Sequence, residues 1–189
     1  MQTGYLVLPV LILLSLVLAA CSASLPYAID YPLTSELFYS RDTEFHGKVP
    51  EGWFVSPLDS LPMSYKVWLL RKDYSAAFHI EELHLDELSV KQVNAKGIIL
   101  LGEISLAFHK GSSLPVNIVG QPREFKMRGI EFCSYELQDK DGMKRVVVFS
   151  NRGRFYECTV AALGSNWQPK SLKPLFSAQQ TALASLMFK

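Results

Sequence analysis

The sequence lacks the features by which several large classes of protein are recognised. It has 19 Lys and Arg against 18 Asp and Glu, so its formal net charge is +1, and this balance gives no electrostatic argument for binding nucleic acid. It contains no P-loop, no Gly-x-Gly-x-x-Gly motif and no Gly-x-Ser-x-Gly motif. It also has no internal repeat and no low-complexity tract. Because no motif indicates a reaction, we predict that the chain is not an enzyme and has no cofactor.

Charge is absent from the first 21 residues of the chain. The run from Tyr5 to Cys21 is apolar, then small, and it ends at a cysteine. An uncharged apolar run that ends in small residues at a candidate cleavage point is typical of an export signal. The ending Leu18-Ala19-Ala20-Cys21 resembles the bacterial lipoprotein signal, the lipobox, in which the peptide is cut before the cysteine and the thiol carries lipid. This resemblance implies a signal peptide at 1–20 and lipidation at Cys21.

Two other interpretations of this leader stay open. A transmembrane helix needs about 20 apolar residues, whereas this run is shorter and contains Pro9. An ordinary secretory signal also ends in small residues, but it usually begins with a basic segment, and residues 1–4 carry no Lys or Arg. Ser22 follows the cysteine, as in the outer-membrane class of lipoproteins. We therefore expect a protein of the bacterial cell envelope that is lipid-anchored, most simply in the outer membrane and facing the periplasm.

The rest of the chain is long enough for one domain with a core of its own. Residues 21–43 contain Pro26, Pro32 and small polar residues, which predict a lipidated tether, and 44–189 predict a single globular domain. The sequence leaves open whether Leu37–Tyr39 dock on that domain.

β-Structure is predicted in two regions. Lys66–Lys72 and Tyr74–Leu83 are rich in β-forming residues and meet at a turn, which predicts a hairpin. The stretch from Arg123 to Ala162 contains four such runs separated by turn residues and predicts an antiparallel meander. Its strands are expected at Glu124–Arg128, Ile130–Gln138, Met143–Ser150 and Arg154–Ala162.

Two helices are predicted from apolar residues at spacings of three and four. The first runs from Ser89 to Lys110, with Ser89 as N-cap, Gly111 as its stop and Leu101 on the buried face. The second closes the chain and begins at a capping box at Ser177. The fold class is therefore α+β, with an antiparallel sheet flanked by helices.

Short motifs placed along this order of elements resemble the PsbP-like superfamily. They are Pro50-Glu51-Gly52-Trp53, Val67–Leu70, Ile80–Leu83, Arg145–Phe149 and Phe155–Glu157 before a closing helix. The superfamily includes thylakoid-lumen proteins of the oxygen-evolving complex and a Ran-binding nuclear import factor. The resemblance covers roughly residues 45–188 and implies an α/β/α sandwich. It also implies a protein that binds other proteins or assists assembly, and it supplies no ligand set.

The metal-capable residues of the sequence cluster between His79 and Asp86. His79 and Glu81 would share one face of a strand, but a zinc site usually needs three or four converging ligands. A polar strand edge that leads into an acidic helix start explains the same residues. We predict no metal site there.

Cys133 and Cys158 lie in apolar alternation, which predicts buried core thiols rather than a catalytic nucleophile. Export permits a disulfide between them. The hairpin registers oppose it, because pairing Cys133 with Val148 and Val148 with Tyr156 places the two cysteines on one face with a strand between them. Their Cα atoms would then lie about 10–12 Å apart, too far for a disulfide, and we predict two free thiols.

Four basic residues, Lys144, Arg145, Arg152 and Arg154, are expected at the turn end of the meander. A solvated hairpin tip is the simpler interpretation, and a patch for an acidic partner is the alternative.

Two functions fit these observations. The first is a membrane-anchored lipoprotein of the periplasm that acts as a protein-binding or assembly module, with an envelope protein as its partner. The second is a carrier of a small molecule or lipid, with a pocket between the sheet and the Ser89 helix.

Overall fold

A computed structural model describes residues 25–112, 115–163 and 169–189, which form two antiparallel sheets and three helices. The large sheet has the strand order β3-β4-β5-β9-β8-β7-β6. Its strands are β3 (Trp53–Val55), β4 (Tyr65–Arg71), β5 (Ala76–Leu83), β6 (Asn117–Met127), β7 (Ile130–Asp139), β8 (Gly142–Asn151) and β9 (Arg154–Ala162). The small sheet consists of β1 (Leu33–Tyr39), β2 (Phe45–Pro50) and β10 (Met187–Phe188), in the order β1-β2-β10. The helices are α1 (Glu87–Lys96), α2 (Ile98–Gly111) and α3 (Pro169–Ala184).

Each face of the large sheet has its own core. On one face, α1 and α2 bury Val93, Ile98 and Leu101 against side chains of β7 and β8. On the other face, α3 and the small sheet bury a larger cluster that includes Phe45 and Phe176. The predicted fold class, an antiparallel sheet flanked by helices, is thus confirmed.

The predicted hairpin and meander are also confirmed. β4 pairs with β5, and β6 to β9 follow one another as antiparallel neighbours. The turns after β6 and β8 are the pairs Arg128-Gly129 and Arg152-Gly153, and all four residues have positive φ, from 49° to 84°. Positive φ at both central residues is the geometry of the type I′ turn, whose twist matches that of the strands it joins.

The segment predicted to be a tether is part of the folded structure from Leu25 onward. Leu33–Tyr39 forms β1, which pairs with β2. Phe38 is 1% exposed and packs over Gly47, where a Cβ would lie 2.5 Å from its ring. The two prolines suggested a tether, but the buried aromatic side chain stabilises a strand instead. The described domain therefore begins well before residue 44.

The predicted Ser89 helix is two helices. Asp86, rather than Ser89, is the N-cap of α1, and its Oδ1 accepts the backbone N–H of Ser89 at 2.9 Å. Gly97 ends α1 with φ 84° and ψ −172°, an angle pair that suits glycine, and α2 starts directly after it. Leu101 is fully buried, as predicted, whereas Phe108 near the end of the same helix is 56% exposed.

The closing helix begins earlier than predicted. It starts at Pro169, where proline is tolerated because the first N–H groups of a helix have no partner within it. Ser177 therefore lies inside α3 and is not a cap. Gln179 and Gln180 are fully buried rather than solvated, because they bind Arg145 beneath the helix.

Candidate functional site

The candidate site lies on the face of the large sheet that carries α1 and α2. α2 packs on β6, β7 and β8 and also contacts β9 at Glu157. The part of the sheet around Ala77 and Ala161 is left uncovered, because no residue of a described helix lines the space above it. The side chains that point to this uncovered part form aligned rows. Ala77 pairs with Ala161, and His79 lies between Trp68 and Thr159.

These rows form an open cleft with a cavity volume of about 440 Å³. Its floor is low because Ala77 and Ala161, which have small side chains, are direct cross-strand neighbours. Trp68 and His79 line one side, and Leu163 lies at the end of β9. The remaining lining residues are Lys140, Asp141, Lys144, Thr159 and Ala162.

Aromatic rings on β4 and β5 form the wall of this cleft. A bulge in β4 brings Tyr65 and Trp68 to the same face, where their ring centroids are 5.5 Å apart. The His79 ring stacks on Trp68 at 5.4 Å and lies 5.2 Å from Tyr65. Burial lowers the pKa of His79 to about 4, so this imidazole is neutral at physiological pH. The wall is thus an uncharged, rigid surface.

A buried carboxylate lies where the cleft meets α2. Glu157 on β9 is 3% exposed, and its Oε1 accepts His109 Nε2 at 2.8 Å and Thr159 Oγ1 at 3.2 Å. Its Oε2 accepts the hydroxyl of Ser105, which in turn accepts the hydroxyl of Tyr135 at 2.7 Å. Ser105 and His109 are four residues apart in α2 and therefore share one helix face. All oxygens of this network have partners.

The charges of the network compensate one another. Burial alone would raise the pKa of Glu157, but hydrogen bonds from His109 and Ser105 and the charge of His109 hold it below the ordinary value. Burial alone would lower the pKa of His109, but the hydrogen bond to Glu157 and its charge raise it. The geometry therefore favours an ion pair at neutral pH, which joins α2 to β9.

For Glu81 the compensation is incomplete, because only the charge of His109 acts to lower its pKa. It is the cross-strand neighbour of Glu157, and its carboxylate lies 3.9 Å from the neutral His79 ring. Burial and the charge of Glu157 together raise the pKa of Glu81 to about 7. Near neutral pH this carboxyl is therefore partly protonated.

The other metal-capable residues of the sequence do not join these groups. His84 is exposed beyond the end of β5, and Asp86 caps α1. Across the described ranges, no group of three His, Cys, Asp or Glu side chains has a geometry that could hold a metal ion.

The two cysteines are free and buried, as predicted, but the predicted register between β8 and β9 is wrong by one residue. Val148 pairs with Glu157, and Val147 pairs with Cys158. A shift of one residue reverses the face on which a side chain lies. Cys133 therefore packs under Gly102 of α2, whereas Cys158 packs in the core beneath α3. Burial raises the pKa of both thiols to about 12, so neither is a thiolate nucleophile at neutral pH.

The predicted group of basic residues at the meander turn does not form. Lys144 lies at the opposite end of β8 from Arg152 and pairs with Asp139 at 2.6 Å. Arg145 is fully buried, and Arg154 pairs with Asp42 and Glu44. Neither the hairpin-tip nor the acidic-partner interpretation of this group describes the molecule.

Cys21, the predicted lipidation site, lies outside the described residues. Within those residues, no helix is both long enough and apolar enough to cross a membrane.

The sequence prediction missed the cluster around Glu157. One signal was present in the sequence. Glu157 is a charged residue within the apolar alternation of β9, and its neighbours on the same strand face point inward. The partners on α2 come from 48 and 52 residues earlier in the chain, so the contact depends on how helix and sheet pack.

Comparison with solved structures shows the fold. The solution structure of cyanobacterial PsbP (CyanoP) from Synechocystis sp. PCC 6803 superposes with a TM-score of 0.51 and 11% sequence identity, over 82% of this chain and 92% of that chain. The crystal structure of the Saccharomyces cerevisiae Ran-binding protein Mog1p gives a TM-score of 0.55 and 9% identity, over 82% and 96%. At these identities the similarity shows the fold alone, and it confirms the predicted PsbP-like fold.

No family model matches the sequence. No curated protein matches it either.

Proposed function

We propose that this chain is a lipid-anchored module of the bacterial cell envelope that binds an envelope protein through the cleft between Trp68, Ala161 and Leu163. The observation that carries the proposal is the cavity of about 440 Å³ over the Ala77–Ala161 floor, to whose lining no described helix contributes. The module faces the periplasm and carries out no reaction of its own.

The shape of the cleft suits one apolar side chain of a partner. Buried aromatic or aliphatic anchors that fill a pocket supply most of the binding energy of many interfaces. Here the floor is alanine, one wall is the Trp68–His79 stack, and Leu163 adds an apolar edge. Lys140 and Asp141 at the rim offer one charge of each sign to the polar surroundings of such an anchor.

The anchor is supported by the sequence ending Leu18-Ala19-Ala20-Cys21. Each buried acyl methylene contributes about 0.8 kcal/mol, and more than one chain makes membrane attachment stable. The experiment is fractionation of cells that express the full chain or a Cys21→Ser variant. The wild type should remain in the membrane pellet after carbonate washing, and the variant should be soluble or retain its leader. A processed variant that pellets like the wild type would refute the anchor.

The cleft is tested by photocrosslinking in native membranes. A photoreactive phenylalanine derivative replaces Trp68 in the cleft or, as a control, Val119, which is 52% exposed on β6. The proposal predicts one discrete adduct band from position 68 and none of the same mass from position 119. Equal adduct patterns from both positions would show that the cleft is not the binding surface.

The alternative function, a carrier of a small molecule or lipid, is favoured by one observation. The cavity volume lies within the range of about 300–1,000 Å³ that small-molecule sites have. The cleft lies beside α2 rather than beneath it, because Leu101 and Gly102 close the space between that helix and the sheet. Native mass spectrometry of the purified soluble domain distinguishes the two functions, since a carrier should retain a ligand of defined mass.

A further inference from the structure

We propose that the end of the large sheet that carries Tyr74, Lys140 and Leu163 lies directly on the lipid surface. This end, called the upper end below, consists of the β4–β5 turn (residues 72–75), the β7–β8 turn around Lys140 and Asp141, and Leu163 after β9. The inference rests on the proposed lipid anchor at Cys21, and because Lys140, Asp141 and Leu163 also border the cleft, it requires the cleft partner to bind at the membrane surface.

The first argument is the short reach of the anchor. Leu25 already packs against the main core, so only four residue steps separate the fixed chain from Cys21. A fully extended chain spans at most about 3.3–3.6 Å per residue, so these steps reach about 14 Å. The domain therefore cannot stand away from the bilayer on a long tether, and some part of its surface near Leu25 must face the lipid.

The second argument is the position at which the chain is fixed. The Tyr27 hydroxyl donates to Glu136 Oε1 at 2.5 Å, and the Tyr27 ring lies 4.9 Å from the Arg145 guanidinium. Glu136 and Arg145 are cross-strand neighbours, each three residues from the β7–β8 turn. Strands rise about 3.3 Å per residue, so this fixed point lies about 10 Å from the upper end. The opposite end of the sheet, with the turn at Arg152-Gly153, is farther away.

The third argument is the composition of the upper end. Tyr74 is 66% exposed and Leu163 is 44% exposed. Leu163 N donates to Ser75 O at 2.7 Å, and Leu163 lines the same cleft as Lys140, so these residues form one continuous surface. Tyrosine and lysine side chains suit the boundary between headgroups and acyl chains, because both have an apolar body and a polar tip.

The charges of this surface also suit anionic lipids. Lys72 and Lys140 are exposed, and Arg71 pairs with Asp73 at 3.4 Å. Lys144 pairs with Asp139, which leaves Asp141 as the remaining acidic residue of the β7–β8 turn. The opposite end contains Asp42 and Glu44, which pair with Arg154, and also the exposed turn residues Arg128 and Arg152. Charge alone therefore does not distinguish the two ends, whereas the position at which the chain is fixed does.

The experiment measures the depth of single fluorescent labels. Full-length lipidated protein is reconstituted into vesicles of phosphatidylethanolamine and phosphatidylglycerol, after an environment-sensitive dye is attached to Tyr74→Cys or, as a control, Arg152→Cys. Cys133 and Cys158 are buried and do not compete for the label. Contact with lipid should blue-shift the emission of the label at position 74, and nitroxide-bearing lipids should quench it, whereas the label at position 152 should show neither effect. Quenching at position 152 alone, at both positions or at neither overturns the inference.

A charge reversal provides a second measurement that does not depend on labelling a hydrophobic position. In the domain without its leader and lipid, Lys72→Glu combined with Lys140→Glu should reduce the affinity for the same vesicles by about fivefold per lysine. The matched control, Lys48→Glu with Arg152→Glu, should leave that affinity unchanged. Equal effects of the two pairs would contradict the inference.

Failure of this inference and failure of the anchor give different results. If Cys21 carries no lipid, the full-length protein is removed from the vesicles by carbonate, whatever the labels report. If the anchor is present but the domain is oriented otherwise, the protein stays on the vesicles and the labels at positions 74 and 152 fail to differ as predicted.

Discussion

Tyr27 covers the buried guanidinium of Arg145. Its ring centroid lies 4.9 Å from the Arg145 Cζ, while Arg145 Nη1 and Nη2 donate to Gln179 at 2.8 Å and to Gln180 at 2.6 Å. Burial lowers the pKa of Arg145 to about 10, which still leaves it charged at neutral pH. The cation is thus held by two amides and a ring. The segment before β1 is therefore a structural part of the core.

Removing this ring should destabilise the whole domain. We expect Tyr27→Ala to lower the free energy of unfolding by about 1–3 kcal/mol, because it removes the ring that packs on Phe176 and its cation–π contact with Arg145. Tyr27→Phe keeps the ring and loses the hydrogen bond to Glu136, and it should cost about 0.5–1.5 kcal/mol. Urea unfolding of the soluble domain measures both values. Equal, negligible losses would mean that the segment only rests on the surface.

The parts of the fold that follow from local chemistry were predictable from the sequence. Gly129 and Gly153 end turns, and the strands beside them are rich in β-forming residues, so the meander could be predicted. The register of the last hairpin was not predictable, because the turn at Asn151-Arg152-Gly153 allows two pairings. The structure pairs Asn151 with Arg154, and this choice alone moves Cys158 to the other face.

Long-range packing accounts for the other differences. Asp86 and Ser89 are both good N-caps, and nothing local shows which of them starts the helix. Gln179 and Gln180 look like a solvated helix face until Arg145, 34 and 35 residues earlier, is placed beneath them. The cleft likewise depends on Ala77 meeting Ala161 across two strands that are far apart in the chain.

The buried face of α2 provides a direct test of the helix packing. Leu101→Asp should destabilise the domain by about 3 kcal/mol or more, because it places an unpaired carboxylate at a position with no exposure. Phe108→Asp on the same helix is the matched control. Since Phe108 is 56% exposed, its replacement should change the melting temperature little. Similar losses for both variants would mean that the last turn of α2 packs as closely as Leu101 does, contrary to the structure.

The stability of the domain should depend on pH through Glu81. Its pKa is raised from 4.5 in the unfolded chain to about 7 in the folded one. The Glu81 carboxyl therefore stabilises the folded state below pH 4.5, and this stabilisation is lost as the pH rises towards 7. Glu81→Gln removes this loss. The free energy of unfolding of the variant should exceed that of the wild type by about 1–2 kcal/mol at pH 8 and equal it near pH 4.

The readout for Glu81 is the difference between variant and wild type at each pH. The difference is needed because His79 also makes the stability depend on pH. Its pKa is lowered to about 4, so the domain loses stability as the pH falls below 6.5, which is the direction opposite to that for Glu81. Glu36→Gln, at an exposed position of β1, is the control and should show no pH-dependent difference. A Glu81→Gln curve parallel to the wild type would show that this carboxyl is not perturbed by burial and Glu157.

The most direct test of the proposed binding function fills the cleft from its floor. Ala161→Phe projects a ring into the space above Ala77, whereas Ala107→Phe makes the same change at an exposed position of α2. Both variants should fold, which circular dichroism verifies. The account predicts that Ala161→Phe abolishes the adduct formed from a photoreactive residue at position 68 in native membranes, and that Ala107→Phe leaves its yield unchanged. Equal adduct yields from the two variants would contradict it.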